Sequence, residues 1–567
     1  MSSILESAAR GYSCLASWAG LLDRINVFPV ADGDTGTNLR ISLAPLCSQE
    51  LIHADLPELL ARAAVGNSGN IAAAFFREFL RVKNPRHLAE MARAGQKKAE
   101  QAVLDPRKGT MLDVFVTLSN SLAATTCPLA AVEYLPLCGQ LQNSVLATSE
   151  LLPELREAGV VDAGALAMFI FFEGFFKALT GVPGTTSSIM RLFGNKLVLD
   201  HSWQPSVADS HCIDALLHPR QDTPLPSREE FAVLGDSVVV NPQEAGIKIH
   251  LHTENPEQIR EKLAEMGRVE HWKDDDMAGQ SLAGSNAGQQ VHIMTDAAGS
   301  LDLKLAKELG ITLLDSFIIS GDRSTPESLC NQEEIYSLLK NGSRVTTAQA
   351  SDFERHQHYA STLQQFSHVI YLAAGSAYTG NFAAASAWKR QHDTEGKFTV
   401  LDSGAASGRL GLMALRTARF AQKNTDPEEV AAFAIRQSAI CCEYVFIDSL
   451  KYLAAGGRIS RTKSFFGEFF RMKPVISPLA EGVAKKGVVR SRREQLAFAC
   501  ARVEQEASAE SLLLLQYSDN KKWVEDVAVA ALQKLRVKSS IIQLPLSLTS
   551  GVHMGPGTWA MAFVGKE

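Results

Sequence analysis

Apolar residues recur every three or four positions through most of the first 200 residues, the spacing that gathers them on one face of a helix. The repeat is clearest in Leu51–Ala64, Met111–Ala124 and Leu137–Leu151. We find no convincing strand-like alternation in this part of the sequence. The pattern predicts an N-terminal all-α domain over residues 1–200. Its candidate functional residues lie in the polar loops between the helices.

The pattern changes near residue 200, where polar, proline-bearing segments interrupt the helical repeat. Strand-like runs follow at Ser237–Val240 and Gly246–Thr253, and Cys212 lies in a third short candidate strand. Residues 201–287 are therefore predicted to form a small α+β middle domain.

Short apolar strands alternate with helices from residue 288 to residue 567. This order of elements is typical of an α/β fold built from parallel βαβ units, with sites at the strand ends. The helices are predicted at Glu333–Lys340, Asn381–Arg390 and Pro427–Ser438.

Composition and charge narrow the class of protein. The 567 residues carry a net charge of −6, which argues against general nucleic-acid binding. The nine cysteines form no C-x-x-C pair, as expected for free thiols in a reducing cytosol. Glu173 and Lys177 interrupt the most apolar run, residues 163–182, so we predict a buried helix there and no transmembrane segment. Because the sequence starts without a signal-peptide pattern, we expect a cytoplasmic protein.

The first polar loop, Asn26–Leu39, has the sequence NVFPVADGDTGTNL. Asp32 and Asp34 stand two residues apart on a glycine-loosened backbone, so both carboxylates can face one hard cation. Mg²⁺ accepts such ligands and fills its other positions with water and nucleotide phosphate. The same residue types also build ordinary polar turns, and the loop by itself does not decide between a turn and a metal site.

Three further polar loops each precede a predicted helix, at Gly66–Asn70, Asp105–Met111 and Val161–Gly164. Free backbone N–H groups and the positive end of the helix dipole make such a helix start a seat for phosphate. Because Asn and Ser are also preferred N-caps, each loop alone is a weak signal. Four loops of one type at helix starts predict that they converge at one rim of a helical bundle.

His250 and His252 alternate with apolar residues in the middle region, which puts both on one face of a strand. Two histidines on one face can bind a metal ion, and Cys212 lies in a strand that could pair nearby. The alternative is an exposed polar face that happens to carry two histidines.

The segments NVFPVADGDTGTNL, GNSGN, KGTML and VVDAG, in that order and spacing, resemble a nucleotide-binding domain of the DhaL type. It is shared by the ADP-producing subunit of dihydroxyacetone kinase and the kinase component of bacterial fatty acid kinase. The resemblance implies a barrel of antiparallel helices that holds Mg–ATP at one end. It implies Asp32 and Asp34 as Mg²⁺ ligands, with Asn26 as a polar third member. The residues implied to line the nucleotide are Thr35, Gly36, Thr37, Asn38, Ser68, Gly69, Gly109, Thr110, Met111, Asp162, Ala163 and Gly164.

The segments GDSVVV and IKIHLHTENPEQI resemble the middle domain of the same fatty acid kinase component. In that family a Cys in a short strand and an H-x-H pair form a metal site, which implies Cys212, His250 and His252 as ligands here. A thiolate with two imidazoles suits Zn²⁺ and leaves one coordination position open.

The loops of the last region include MTDAAGSL, RVTTAQASDF, LAAGSAYTGNFAAA, LAAGGRIS and HMGPGTWAMAF, and they resemble the DegV family of fatty-acid-binding proteins. In that family an acyl chain lies between two α/β subdomains. The resemblance implies that Thr347 and Thr379, with Gly380, hold the acyl carboxylate. It also implies Arg458 and His553 as a cationic pair beside the carboxylate, with a part in catalysis.

The sequence thus predicts a natural fusion, with a kinase domain over residues 1–200, a middle domain over 201–287 and a DegV-like domain over 288–567. The resemblance implies a phosphotransferase that uses ATP to convert a protein-bound fatty acid into an acyl phosphate, which an acyltransferase would use in phospholipid synthesis. We expect a homodimer with transient contact at a membrane surface. Two other functions stay open: a kinase for a dihydroxyacetone-like small molecule, and a non-catalytic lipid-binding sensor that ATP regulates.

Overall fold

The structure is a computed structural model, and the chain divides into two compact units, Met1–Ser285 and Asn286–Glu567. The structure describes residues 3–47, 56–82, 84–125, 131–184, 186–204, 211–220, 226–243, 246–276, 290–321, 323–455, 472–535 and 537–566.

Helices dominate the first part of the first unit, as the apolar repeat predicts. The helix predicted at Met111–Ala124 has those bounds, and the one predicted at Leu137–Leu151 forms the end of a longer helix. Of the helix predicted at Leu51–Ala64, residues 51–55 lie outside the described residues and Leu56–Ala63 is helical. The helices are α1 (Ile4–Ala16), α2 (Ala19–Arg24), α3 (Thr35–Leu43), α4 (Leu56–Ala63), α5 (Gly66–Phe79), α6 (Leu88–Ala102), α7 (Met111–Ala124), α8 (Ala131–Leu151), α9 (Pro153–Ala158), α10 (Ala163–Thr180) and α11 (Ile189–Phe193).

Aromatic side chains from three helices fill the centre of this helical domain. Phe75 of α5 stacks on Phe115 of α7 with ring centroids 4.0 Å apart, and Phe76 meets Phe171 of α10 at 4.5 Å. Among the described residues, α10 is the helix long and apolar enough to cross a membrane by length and composition, yet 83% of that stretch is buried inside the protein. The burial fits the core helix that the sequence predicts.

A four-stranded antiparallel sheet follows the helical domain. It consists of β1 (His211–Pro219), β2 (Asp236–Gln243), β3 (Gly246–Thr253) and β4 (Gly267–Asp276), with α12 (Arg228–Ala232) and α13 (Pro256–Met266) beside it. The strands lie in the order β2-β3-β1-β4. β3 has the predicted bounds, and Cys212 lies in a strand as predicted. Ile213, Ile249 and Leu251 are buried in the apolar core of this domain.

The sheet packs on the helical domain of the same unit through β2 and β3. Arg77 of α5 donates to the Asn241 side chain at 3.1 Å. The Lys248 ammonium donates to the backbone oxygen of Arg62 at 3.3 Å and to that of Ala64. The polar face of β3 therefore meets the connection between α4 and α5.

The second unit contains three sheets. Its strands are β5 (Val291–Asp296), β6 (Ile311–Leu314), β7 (Ser316–Ser320), β8 (Arg323–Pro326), β9 (Val345–Gln349), β10 (His368–Ala373), β11 (Phe398–Asp402), β12 (Cys441–Phe446), β13 (Lys473–Leu479), β14 (Gly482–Val489), β15 (Glu510–Tyr517), β16 (Lys538–Pro545) and β17 (Trp559–Val564). One sheet has the order β11-β10-β5-β6 and is parallel throughout, as the sequence predicts. A small antiparallel sheet has the order β8-β7-β9.

The third sheet has the order β14-β13-β12-β17-β15-β16, and within it only β15 and β16 are paired in parallel among the described strands. The prediction of parallel βαβ units is wrong for this sheet. β13 and β14 form a hairpin, and β17 returns between β12 and β15 antiparallel to both. Apolar strands that are covered on both faces look alike in sequence for either pairing direction, so the apolar pattern does not reveal this arrangement.

The helices of the second unit include those predicted at Glu333–Lys340, Asn381–Arg390 and Pro427–Ser438, each one or two residues longer. They are α14 (Leu303–Leu309), α15 (Gln332–Lys340), α16 (Asp352–Gln365), α17 (Asn381–His392), α18 (Ser407–Ala421), α19 (Pro427–Ile440), α20 (Leu450–Ala455), α21 (Arg492–Glu506), α22 (Lys521–Trp523), α23 (Ala530–Leu532) and α24 (Leu548–Met554). α18 packs against β5 of the parallel sheet and against β12, β15 and β17 of the mixed sheet, and it joins the two through a common core.

Candidate functional site

The Asn26–Leu39 loop leads directly into α3, which begins at Thr35. The backbone N–H and the hydroxyl of Thr37 donate to Asp23 at 3.0 and 2.7 Å. Gly36 lies so close to α2 that a Cβ there would stand 2.1 Å from the Ala19 carbonyl oxygen. These contacts fix the loop against the helical domain, so it is an ordered structure that can place a ligand.

Asp32 and Asp34 lie half-buried at the start of α3. Burial raises the pKa of both carboxyls, and for Asp34 the neighbouring charge of Asp32 raises the pKa further. The buried Asn26 amide donates to Asp32, and an interaction with Asn38 lowers the pKa of Asp34. Two crowded carboxylates with oxygen-bearing neighbours are a donor set that fits Mg²⁺.

Asp34 stands at the N-cap position of α3, yet its side chain makes no capping hydrogen bond among the described residues. Thr110 and Asp162 stand at the N-caps of α7 and α10 and do make such bonds, to the N–H groups of Leu112 at 3.4 Å and Ala165 at 2.7 Å. The ordinary capping role therefore accounts for Thr110 and Asp162 but not for Asp34.

The second loop brings the start of α5 against α3. The Ser68 hydroxyl donates to the Thr35 carbonyl oxygen at 3.4 Å. Gly66 begins α5 with a φ of +65°, a conformation that favours glycine, and a Cβ there would stand 2.0 Å from the Asn38 amide nitrogen. Gly69 likewise faces Ser42 of α3.

The third and fourth loops meet each other. Gly109 donates its N–H to Asp113, and Met111 begins α7. Ala163 begins α10, and a Cβ on Gly164 would stand 2.5 Å from the Met111 Cε. Burial raises the pKa of Asp162 to about 7. The contacts thus join the four loops in two pairs, and the single rim that the sequence predicts stays a prediction.

Cys212, His250 and His252 come together on the polar face of the middle sheet. Cys212 pairs with His252 across β1 and β3, and Asp214 pairs with His250. One ligand atom from each of Cys212, His250 and His252 lies within 4.8 Å of the others. We call these three residues the middle-domain cluster. His250 and His252 are only 1% and 3% exposed, so the alternative of an exposed polar face is wrong.

The ring nitrogens of the middle-domain cluster are not satisfied by protein. Nε2 of His250 and both ring nitrogens of His252 are buried without a hydrogen-bond partner among the described residues. Burial lowers the pKa of His252 to about 3, which keeps its imidazole in the neutral form that metals bind, and burial raises the pKa of the Cys212 thiol. A soft thiolate donor with two imidazoles fits Zn²⁺.

The middle-domain cluster lies within electrostatic reach of the Asp32–Asp34 pair. After burial and the charge of Asp214, the charges of Asp34 and Asp32 also raise the pKa of Cys212. In the other direction, His250 acts against burial to lower the pKa of Asp34. The charges of the two candidate metal sites therefore influence each other, which sequence spacing alone did not predict.

Thr347 and His553 come together in the second unit, although they stand 206 positions apart in the chain. The Thr347 hydroxyl on β9 lies 3.1 Å from Nε2 of His553 on α24. Buried Glu327 holds the start of α24, because it accepts hydrogen bonds from the Ser547 hydroxyl and the Thr549 N–H, both at 2.8 Å.

Thr379 and Gly380 precede α17 in a loop beside β9, and the Gln349 side chain approaches the position of a Cβ on Gly380 to 3.9 Å. The Thr379 hydroxyl accepts the Asn381 N–H at 3.3 Å. Arg458, the predicted partner of His553, lies outside the described residues.

Asn381 belongs to a buried network beneath this loop. Its side-chain amide donates to Asp296 at 2.8 Å, and its side-chain oxygen accepts from Arg355 at 3.3 Å. Asp296 also accepts from the Tyr371 hydroxyl at 2.7 Å and the Ala374 N–H at 2.6 Å. We call these five residues the Asp296 network. Through Asn381, the first residue of α17, the network holds the Thr379–Gly380 loop that precedes this helix.

Three family models match consecutive parts of this chain. The DAK2 domain matches residues 29–177, and the middle domain of FakA-like fatty acid kinases matches residues 210–283. The DegV family of uncharacterised proteins matches residues 290–566. The chain is a fusion of a DAK2 domain, a fatty acid kinase-like middle domain and a DegV domain. The predicted fusion and its fold class are confirmed, and the DAK2 and middle domains belong to kinase-like families.

The curated relatives match part of this chain. An uncharacterised protein of Staphylococcus saprophyticus is 28% identical over 289 residues, which cover 45% of this chain and 51% of that protein. Protein YloV of Bacillus subtilis is 27% identical over 378 residues, which cover 59% of this chain and 67% of YloV. The chain therefore spans about half the length of the first of these relatives.

Solved structures of DegV proteins align with part of the chain. A fatty-acid-binding DegV family protein from Thermus thermophilus is 24% identical with a TM-score of 0.44, covering 49% of this chain and 100% of its own. DegV of Bacillus subtilis, described as a fatty acid binding protein, is 17% identical with a TM-score of 0.43, covering 49% of this chain and 99% of its own.

Sequence reasoning missed Asp214 of the middle domain and Gln349 of the DegV domain. Asp214 stands two residues after Cys212, so strand alternation puts both on one face, and that spacing was the available signal. Gln349 stands two residues after Thr347 on β9 and could have been found in the same way.

Proposed function

We propose that this chain is a fatty acid kinase that transfers the γ-phosphoryl group of ATP to the carboxylate of a fatty acid held by its DegV domain. The observation that carries the proposal is that one chain has both a candidate site for Mg–nucleotide and a candidate site for a fatty acid carboxylate. The DAK2 domain has the Asp32–Asp34 pair, in which Asp34 does not cap α3 among the described residues, and the DegV domain has the Thr347–His553 pair. Residues 1–200, 201–287 and 288–567 would form the three functional parts.

The reaction is balanced without a protein nucleophile. One oxygen of the fatty acid carboxylate attacks the γ-phosphorus, the bond from that phosphorus to the β,γ-bridging oxygen breaks, and ADP leaves with both electrons of that bond. The carboxylate is already ionised at neutral pH, so no general base is required. Positioning and charge neutralisation supply most of the catalysis in such transfers.

The kinase site would use the residues of the four helix starts. Asp32 and Asp34, with Asn26 beside them, would hold Mg²⁺, which neutralises phosphate charge when bound. The starts of α3, α5, α7 and α10 would line the nucleotide through Thr35, Gly36, Thr37, Asn38, Ser68, Gly69, Gly109, Thr110, Met111, Asp162, Ala163 and Gly164. Cys212, His250 and His252 would hold Zn²⁺, which acts as a Lewis acid or a structural clamp when bound.

The DegV domain would hold the acyl group. The Thr347 hydroxyl and the His553 ring already point at one another, so a carboxylate entering between them can accept from both. Thr379 and Gly380 would add contacts from the α17 loop, and Arg458 would add positive charge. Burial of the acyl chain would contribute about 0.8 kcal/mol per methylene.

The chemistry of the product indicates which class of enzyme would act next. An acyl phosphate is an activated acyl donor, so an acyltransferase of phospholipid synthesis would consume it. We place the protein in the cytoplasm as a homodimer, with transient contact at membrane surfaces where fatty acids are collected. Fusion of the carrier to the kinase raises the effective concentration of the bound fatty acid.

The test is ADP release by the full chain, measured with Mg–ATP alone, with oleate or palmitate, and with dihydroxyacetone. We expect release that requires a fatty acid and falls ~10²-fold or more in Asp34→Asn, because positioned charge stabilisation is lost. Glu78→Gln is the matched control, since it removes a carboxylate from an ion pair with Arg81 in the same domain, at the opposite end of α5 from Gly66.

Three outcomes would contradict the proposal. Release that is equal without a fatty acid would show an ATPase, and release stimulated only by dihydroxyacetone would show a triose kinase. ATP binding without any release, together with fatty acid carried through purification, would show a lipid sensor.

A further inference from the structure

Asp214 lies on the same face of β1 as Cys212, directly across from His250 on β3. Its carboxylate is buried and its two oxygens have different partners. Oδ1 lies 3.3 Å from Nδ1 of His250, and Oδ2 accepts the N–H of Gly66 at 3.4 Å. One carboxylate thus touches the middle-domain cluster with one oxygen and the start of α5 with the other.

The contact with His250 determines which ring nitrogen faces the cluster. A carboxylate at Nδ1 keeps the ring proton on that nitrogen, which leaves the lone pair on Nε2. Nε2 of His250 is buried without a hydrogen-bond partner among the described residues. Asp214 therefore orients His250 so that its free lone pair is available to an ion held by Cys212 and His252.

The contact with Gly66 reaches the nucleotide loops of the DAK2 domain. Gly66 is the first residue of α5 and lies against the Asn38 side chain of α3. Ser68, two residues further on, donates to Thr35 of α3. A movement of the Gly66 N–H therefore moves the helix start that packs against the first residues of α3.

The neighbouring strand position reinforces the link. Lys248 shares the face of β3 with His250, and its ammonium donates to the backbone oxygens of Arg62 and Ala64, just before α5. Both Asp214 contacts are at the long end of the hydrogen-bond range, so each is weak alone. They act as a link because one buried carboxylate makes both, one to His250 and one to the start of α5.

We propose that Asp214 is a positioning residue that couples the middle-domain cluster to the start of α5, so that a divalent metal ion in the cluster changes the affinity of the DAK2 loops for Mg–nucleotide. By linkage, Mg–nucleotide changes the affinity of the cluster for its metal by the same factor. The inference rests on the proposed nucleotide and metal sites, and it does not depend on the identity of the phosphate acceptor.

The experiment uses the full chain and two probes that need no turnover. Co²⁺ reports occupancy of the cluster through thiolate-to-metal charge-transfer absorption, and Mg–ADP affinity is measured calorimetrically with the cluster empty and with it loaded by Co²⁺. In the wild type we expect the Kd of Mg–ADP to change by a factor of about 5 or more, the lower end of typical coupling.

Asp214→Asn is the decisive variant. It should weaken Co²⁺ binding by about 10–100-fold, the usual effect of removing a carboxylate that orients a metal-binding histidine. At Co²⁺ concentrations that fill its cluster, the Kd of Mg–ADP should no longer respond to the metal. Glu270→Gln is the matched control, because it takes a carboxylate from His218, 3.0 Å away on the same sheet, and should leave both affinities and their coupling intact.

The outcomes separate this inference from the proposed function. If the wild type binds Co²⁺ and Mg–ADP independently, or if Asp214→Asn keeps both the Co²⁺ affinity and the coupling, the inference is wrong and the kinase proposal stands. If the wild type binds no Co²⁺ at all, the proposed metal site and this inference fail together. The wild-type measurement needs no variant, so a folding defect in Asp214→Asn would not protect the inference.

Discussion

The middle-domain cluster and the Asp296 network are both buried, polar and next to residues predicted to bind ligands, but their hydrogen bonding differs. In the Asp296 network both polar atoms of the Asn381 amide and both oxygens of Asp296 have protein partners. In the middle-domain cluster, Nε2 of His250 and both ring nitrogens of His252 have none among the described residues.

This difference in hydrogen bonding distinguishes a network that supports the fold from a cluster that can bind a ligand. Leaving a buried polar group unsatisfied costs about 1–3 kcal/mol, so a fold tolerates such groups where a ligand completes them. The hydrogen bonds of Asp296 and Asn381 assign these side chains to the scaffold. Nε of Arg355 in the same network has no partner among the described residues, but a guanidinium N–H cannot bind a cation, so the middle-domain cluster is the place for an ion.

The largest effect should come from breaking the satisfied network. Asp296→Ala removes the acceptor for the Tyr371 hydroxyl, the Ala374 N–H and the Asn381 amide. At about 1–3 kcal/mol for each of the three orphaned groups, we expect a loss of about 3–9 kcal/mol in the local stability of the parallel sheet. Hydrogen exchange of peptides from β5 and β10 measures this loss.

Asp302→Ala is the control for that variant, because it removes a single capping bond to Leu305 in the same domain and should cost about 1 kcal/mol. Equal losses in the two variants would mean that the Asp296 network is no more than an ordinary surface contact.

The next effect is expected at His252, where a substitution should leave the stability of the metal-free protein unchanged or raise it. His252→Leu removes two buried nitrogens that have no partner among the described residues, so the chelator-treated variant should be as stable as the wild type or about 1 kcal/mol more stable. Zinc at about 100 times its Kd should stabilise the wild type by about 2.7 kcal/mol and the variant not at all.

Denaturant unfolding of the first unit, with EDTA and with zinc, gives both comparisons for His252→Leu. The contradicting result is a metal-free variant that is less stable than the metal-free wild type by about 2 kcal/mol, the cost of one orphaned group. That loss would show that the His252 ring is already satisfied, and it would remove the contrast with the Asp296 network.

Sequence reasoning went furthest where a short motif carries its own geometry. The H-x-H run of His250 and His252 was expected on one face of a strand, and the structure puts both on the polar face of β3 with the predicted bounds. The N-terminal loops were expected at helix starts, and Thr35, Gly66, Met111 and Ala163 each begin a helix.

Sequence reasoning failed where the outcome depends on long-range pairing. The position of β17 between β12 and β15 depends on which distant strands meet, and apolar alternation is silent about that. The partners of Asn381 are a second case, because its amide is bonded to Asp296 and Arg355. Only the folded chain shows that these partners, 85 and 26 positions away, use its hydrogen-bonding atoms.

A smaller effect is expected at the Thr347–His553 pair. These side chains bond to each other in the structure and would bond to the fatty acid carboxylate instead when it is present. Thr347→Val keeps the shape and removes the hydroxyl, so we expect about a tenfold weaker Kd for a fatty acid, or about 1.4 kcal/mol. Displacement of a fluorescent acyl probe measures it.

Thr346→Val is the matched control, since neighbouring residues on β9 point to opposite faces of the sheet. Equal weakening by both substitutions would place the carboxylate elsewhere in the DegV domain.

The smallest effect concerns Asp162, a buried carboxylate whose oxygen is bonded to the Ala165 N–H and whose pKa burial nevertheless raises to about 7. Because this pKa lies above the ordinary value of 3.8, the unfolded chain releases the proton first as the pH rises. The contribution of the neutral carboxyl is therefore complete below pH 3.8 and is lost as the pH rises towards 7. The change in unfolding free energy should not exceed about 1.4 kcal/mol for each pH unit.

Asp162→Asn isolates this dependence, because asparagine is also a good N-cap and does not titrate. Between about pH 4 and about pH 7, the unfolding free energy of the wild type should fall relative to that of the variant, with a slope close to the limit for one titrating group. A constant difference in stability between the two proteins does not affect this slope. A flat difference would mean that helix N–H groups fully compensate the buried charge of Asp162. Asp162 would then act only as the N-cap of α10.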